Sequence, residues 1–156
     1  VSEKVYKRIV DLLSEKGVDF EIIEHEPVYT SKQAADVRGT SQGEGAKALV
    51  FKADGMPVML VLPGDRRVDV KRFKSAYKFS DLNMVKPEEV EDLMEGVKVG
   101  AVHPLGNLHN IKVYVDKSLG RSEKIVFNAG LHDKSIKMYY KDYYGLVKPK
   151  IGDFTS

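Results

Sequence analysis

The sequence contains no cysteine. That absence removes disulfides, thiolate nucleophiles and Cys-ligated zinc together, and it suits a reducing cytoplasm. Also missing is any apolar run near the ~18 to 20 residues of a membrane span, and the start, VSEKVYKRIVDLL, is charged and amphipathic rather than signal-like. A large excess of one charge is lacking too. Lys plus Arg number 25 and Asp plus Glu 23, a net charge of +2 that argues against a polycationic wrapper of nucleic acid. The expectation is a cytoplasmic protein with no membrane partner, whose chemistry does without sulfur. At 156 residues the chain is one domain's worth of polymer, so residues 1–156 are expected to form a single domain.

What is present is unevenly spread. Residues 41–80 carry 8 basic and 4 acidic groups and residues 101–156 carry 9 and 5, whereas 1–40 and 81–100 are net acidic; local basic patches therefore remain open. Val5, Ile9, Leu12 and Leu13 fall on one helical stripe, with Ser2 as its cap and Gly17 as its end. Val18, Phe20 and Ile22 alternate as a strand until Pro27. Thr30 and Gln33 have capping-box spacing for a short helix through Ala34, Ala35 and Val37, ended by Gly39. AKALVFKA and PVMLVLP, joined through Asp54 and Gly55, read as a hairpin at the centre of a sheet. RRVDVKRFKSAY and KPEEVEDLMEG read as a basic and an acidic helix. IKVYVD, KIVFNA and SIKMYY read as strands, KSLGRSE and KDYYGLV as short helices, and the tail after Pro149 as irregular. The fold class is α+β, with a mixed sheet of about six or more strands.

Few residues stand out chemically. Lys47 shares a strand face with Leu49 and Phe51, so it is either a lysine at the strand entrance reaching back to solvent or a cation aimed into a pocket. The glycines before it do not make a nucleotide site, because GTSQGEGAKA lacks the hydroxyl residue after the lysine and the spacing of a P-loop. Gly100, Pro104 and Gly106 form a shaped loop, either a structural turn or one whose backbone N–H groups face a ligand oxygen. His25, His103, His109 and His132 show no metal-ligand spacing, so neither metal nor cofactor is expected. His103 and His109 are expected to be exposed, and His132, after a sharp turn at the end of its strand, is either a structural or solvent-facing residue or one presented to a cleft. Asp116 caps the turn after its strand. Six basic residues lie between Arg66 and Lys78, a solvated helix face unless the ligand carries phosphates.

Taken together, HEPVYTSKQAADVRG, GAKALVFKADG, VLPGDRRVD, KPEEVEDLMEGVKVGAVHPLGN and VYVDKSLGRSEKIVFNAG resemble, in order and spacing, the YbaK/ProX group of aminoacyl-tRNA editing domains over roughly residues 5 to 147. Its most diagnostic features are the lysine before the apolar strand and the GxxxP loop, here Lys47 and Gly100 to Pro104. The resemblance implies a mixed, mostly antiparallel sheet or partly closed barrel flanked by short helices. It also implies a deacylase acting in trans, which hydrolyses the ester of a wrong amino acid on the terminal adenosine of a tRNA, with tRNAPro as the expected carrier and a synthetase as a further partner. By resemblance Lys47 and Gly100 are catalytic, and Thr30, Pro104, Gly106, Gly130 and His132 bind substrate. Arg66, Arg67, Lys71 and Arg72 are candidate tRNA contacts. Leu131 and His103 depart from the family's usual small residue and Ser or Pro, and these positions bear on which amino acid is rejected. An activated ester needs no enzyme nucleophile, only a positioned carbonyl and a water or ribose hydroxyl. The alternative is a non-catalytic module that holds a tRNA end, a nucleotide or a synthetase.

Overall fold

The computed structural model describes residues 2–156, with side chains from Glu3 onward; the Ser2 cap concerns a side chain outside the described residues. Helix α1 (Ser2–Glu15) buries Val5, Ile9 and Leu13, one residue per turn on a single face. Strand β1 (Phe20–Glu24) follows, then α2 (Ser31–Arg38), β2 (Ala46–Ala53), β3 (Met56–Pro63) and α3 (Val70–Tyr77). Next come β4 (Leu82–Met84), α4 (Pro87–Leu93), β5 (Lys112–Asp116), β6 (Lys124–Leu131), β7 (Lys134–Tyr139), α5 (Tyr140–Val147) and β8 (Lys150–Gly152).

The strands form two sheets rather than one, and neither closes into a barrel. The first has the order β1-β7-β6 and is antiparallel throughout. The second has the order β4-β2-β3-β5-β8, antiparallel at β2 with β3 and β4, and parallel where β5 joins β3 and β8. A single parallel bridge, Gly45 with Val126, links them. The main core lies between the sheets: Ala46, Ala48 and Val50 of β2 face Ile125 and Phe127 of β6, and α1 closes it. Alternation puts Phe51, Val58, Leu60 and Tyr114 on the opposite face of the second sheet, where Phe73 of α3 and Phe154 cover them.

The hairpin of β2 and β3 turns on two residues, Asp54 (φ 48°) and Gly55 (φ 84°), the left-handed pair that a tight two-residue turn demands. The Asp54 carboxylate also accepts the backbone N–H groups of Ser80 and Asp81, which delivers the chain into β4. β4 was not evident in the sequence, and it covers only Phe51–Ala53 of β2. The opening half of β2, Ala46–Leu49, thus has β3 on one side and no paired strand on the other. KSLGR forms a short helix as expected, of the 3-10 type (Lys117–Arg121). The tail, expected to be irregular, is ordered: β8 pairs with β5, Val68 bridges Thr155 and Phe154 is fully buried.

Candidate active site

A cleft of about 170 Å³ opens beside the uncovered half of β2, lined by residues that include Thr30, Ser31, Arg38, Lys47, Gly100 and Asn128. Three of the sequence-identified residues meet here: Thr30 from the start of α2, Lys47 from β2, and Gly100 from the 3-10 turn Val99–Ala101. Thr30 Oγ1 accepts the N–H of Gln33 at 3.1 Å while the Gln33 side chain accepts the N–H of Tyr29 at 3.0 Å. This reciprocal cap fixes the cleft wall and leaves the Thr30 O–H able to donate.

Lys47 is half-buried. Burial lowers its pKa, the nearby Arg67 lowers it further and Asp65 opposes both. The reading of Lys47 as a cation aimed into a pocket is the one that its place in the cleft lining matches.

Gly100 is held from two sides. Its carbonyl accepts the Asn128 side-chain N–H at 2.9 Å, and a Cβ on it would sit 2.9 Å from His132 Nε2, so any larger residue requires the half-buried imidazole to shift. His132 occupies the two-residue tip of the β6–β7 hairpin, beyond a register irregularity that contains Gly130 at φ 86°. Its carbonyl accepts the N–H of Val28 at 3.1 Å, and its ring lies 4.7 Å from that of Tyr29. Tyr29 lines the cleft, whereas His132 and Gly130 are not among its lining residues; His132 packs on Tyr29 and stands next to Gly100. Burial lowers the His132 pKa, with Asp133 opposing and Lys98 adding to the shift.

Pro104 and Gly106 are not among the residues lining the cleft. The Pro104 carbonyl accepts the Tyr143 hydroxyl at 2.7 Å in the interior, and Gly106 lies against Val113, Ile111 and Met59. Contrary to expectation, His103 and His109 are not exposed: His103 is fully buried, and the His109 side chain is covered. The N–H of Leu105 donates to His103 Nδ1, so His103 donates from Nε2 to His109 Nε2 at 2.8 Å. His109 in turn meets Glu95 through Nδ1 at 2.6 Å, and Glu95 pairs with Arg8 at 2.8 Å. Asp116 is buried as a cap. Burial raises its pKa, but the hydrogen bonds from Ser118, Phe154 and Thr155 outweigh that and leave it lowered.

The basic run divides. Arg66 reaches Thr155 and Arg72 reaches Asp153 and the Thr155 carbonyl, fastening the C-terminal segment. Arg67 and Lys71 are exposed, and Arg67 lies close enough to act on Lys47.

Two lining residues escaped the sequence reading. Arg38, in the last turn of α2, donates from Nε to Ser135 Oγ at 2.9 Å and from Nη2 to Asn128 Oδ1 at 3.0 Å. Asn128 then connects it to Gly100. A lone amide in the otherwise apolar strand KIVFNA was the available signal; Arg38 had none, since a cation in a last turn is ordinary.

The family description "Aminoacyl-tRNA editing domain" matches residues 25–146. The chain belongs to this family. A Multifunctional Ser/Thr-tRNA deacylase ProXp-y of Escherichia coli K12 is 33% identical over 154 residues, which cover 96% of this chain and 92% of that protein. A Proline--tRNA ligase of Caldicellulosiruptor bescii is 31% identical over 110 residues, covering 70% of this chain but 19% of the ligase. The solved structure of a candidate trans-editing enzyme for prolyl tRNA synthetase shares the fold, with a TM-score of 0.85 at 24% identity over 97% of each chain. The chemistry of the family is that of a hydrolase of aminoacyl-tRNA esters. Among the described residues no helix is long and apolar enough to cross a membrane.

Proposed function

We propose that the cleft between Lys47 and Gly100 hydrolyses, in trans, the ester between a mischarged amino acid and the terminal adenosine of a tRNA, and that seryl and threonyl esters are among its substrates. The observation that carries this reading is the cleft itself: its lining holds a half-buried cation, Lys47, and a glycine, Gly100, whose carbonyl is fixed by Asn128. In the mechanism, Lys47 lies beside the ester and stabilises the charge that develops on its carbonyl oxygen, and the Gly100 turn holds the ester in place. A water or the neighbouring ribose hydroxyl attacks, so no enzyme nucleophile is required.

Size and polarity support small hydroxylated side chains. A cleft of about 170 Å³ is below the roughly 300 Å³ at which drug-sized pockets begin. Thr30 and Ser31 put hydroxyls on its wall, and a wall that hydrogen-bonds a substrate hydroxyl discriminates against an analogue without one more strongly than an apolar wall does. The Ser/Thr-tRNA deacylase activity that gives the E. coli relative its name, matched over 92% of that protein's length, agrees with both points. The shared segment of the Proline--tRNA ligase supports tRNAPro as one carrier and a prolyl-tRNA synthetase as a partner. Exposed Arg67 and Lys71 are the phosphate contacts of the acceptor end in this reading.

The test is a panel of alanyl, cysteinyl, seryl and threonyl esters on tRNAPro and on the cognate tRNAs. The expected result is faster loss of the seryl and threonyl esters with protein than without. Salt-sensitive tRNA binding with no ester loss would instead identify a non-catalytic holder of tRNA ends.

A further inference from the structure

Arg38 carries a charge that the fold does not use. Its direct partners, Ser135 and Asn128, carry no charge. Arg38 Nε donates to Ser135 Oγ, Ser135 meets His25 Nε2 at 2.7 Å, and His25 Nδ1 meets the Glu26 carbonyl at 2.7 Å. Nη2 donates to the Asn128 amide oxygen. Among the described residues no carboxylate lies within ion-pair distance of it. An uncharged donor of similar length could satisfy Ser135 and Asn128, whereas placing a cation out of solvent without an anion is costly. Burial brings its pKa down to about 10, which still leaves it protonated at neutral pH.

The unused part of the guanidinium points to the cleft. Of five N–H donors, two are engaged, leaving both on Nη1 and one on Nη2. Nη1 faces Gly45, where a Cβ would lie 3.6 Å away, and both residues line the cleft. Lys47 is the second cation in that lining, and the lining contains no Asp or Glu. Two half-buried cations around a small cavity with no acid of its own make a site for an anion, and a planar fork with paired free N–H groups suits a phosphate.

We propose that Arg38 binds the phosphodiester on the 5′ side of the esterified adenosine, so that its bond to Asn128 links the phosphate grip to the Gly100 turn. The identity of this anion rests on the deacylase reading above, because phosphates are the anions that an aminoacyl-tRNA end brings. Lys47 is thereby left for the ester while Arg38 fixes the nucleotide.

The experiment measures binding of adenosine 5′-monophosphate and adenosine to the full chain, with deacylation kinetics alongside. The unmutated protein is expected to bind the monophosphate at least about tenfold more tightly than the nucleoside, the scale of a charge-assisted hydrogen bond. Arg38→Gln is expected to abolish that difference and to raise KM about tenfold with kcat nearly unchanged, and Arg38→Lys to recover part of both. Equal binding of the two ligands by the unmutated protein overturns the proposal without need of a variant. So does an Arg38→Gln protein that keeps the difference, or one that loses kcat at constant KM, since that marks a role confined to holding Asn128. If the unmutated protein prefers the monophosphate but removes no ester from any tRNA, the anion site stands and the deacylase reading fails. If it removes esters but shows no preference, the reverse holds.

Discussion

The loop from Val99 to Gly106 has two ends in opposite surroundings. At Gly100 the backbone borders an open cleft, its carbonyl held by Asn128, itself tied to Arg38, with the His132 ring next to where a Cβ would lie. At Pro104 the backbone enters the core, where Tyr143 satisfies its carbonyl, and the chain from buried His103 through His109 and Glu95 to Arg8 runs out to the surface. The first set ends on unused donors that face the cleft. The second ends on its own partners. A single glycine- and proline-marked segment therefore presents one end to a ligand and anchors the other, and only the first is expected to respond to substrate.

The comparison is broken or sharpened by substitutions at either end. Of the two ends, the larger effect is expected from Gly100→Ala, whose new Cβ would lie 2.9 Å from His132 Nε2, so that the ring or the turn must shift. A shift of up to about 1 Å at a reacting centre lowers kcat/KM about 10- to 100-fold, with little change in Tm. Adding His132→Ala to the same chain should restore most of the loss, which a single-turnover deacylation assay would read. Tyr143→Phe acts at the other end: it leaves the Pro104 carbonyl buried without a donor and should cost about 1 to 2 kcal/mol in urea unfolding, with kcat/KM unchanged within about twofold. If Tyr143→Phe proved the more damaging to turnover, the two ends would not be separable.

The anchoring end should also impose a pH dependence on stability. Burial, with help from His109 and Arg8, lowers the His103 pKa to about 3, against about 6.5 in an unfolded chain. Between those values the unfolded state takes up a proton that the folded state refuses. The stabilisation is thus complete above about pH 6.5 and is lost as pH falls, at up to about 1.4 kcal/mol per pH unit. Urea midpoints between pH 6.5 and 5 should show this slope, and His103→Gln should reduce it. The smallest effect belongs to Thr30→Val, which removes a helix cap worth about 1 kcal/mol and, with it, the wall hydroxyl. Discrimination of seryl over alanyl esters should fall, and Thr30→Ser should keep both properties.

Features that depend on neighbouring residues were legible in the sequence. The Asp54–Gly55 turn, the Thr30–Gln33 cap and the Asp116 cap each follow from a short run of side chains competing for local backbone groups, and all three occur. Long-range pairing was not legible in the same way. The parallel joins of β5 to β3 and β8, and the division into two sheets, arise from packing that no local pattern encodes. The tail read as irregular because three residues ending in glycine carry little strand signal, yet Phe154 needed a place in the core. His103 and His109 were misplaced because glycine and proline suggest an exposed loop. Ala101, Val102 and Leu105 beside them, all buried, were the better guide. Lys47 stood out by its strand register and Gly100 by its glycine- and proline-marked loop, the resemblance supplied their roles, and the cleft brings them together. Arg38 and Asn128 required the fold, because the contact between them spans 90 positions of sequence.

The central claim is that Lys47 works on an ester held at Gly100. The most direct test is single-turnover hydrolysis of seryl- and threonyl-tRNA by the unmutated chain and by Lys47→Ala, with Tm measured on both. Loss of the ester with the unmutated protein and a fall of about 100-fold or more in rate for the variant, at nearly constant Tm, is the predicted result. Equal rates for the two proteins, or none for either, would contradict it.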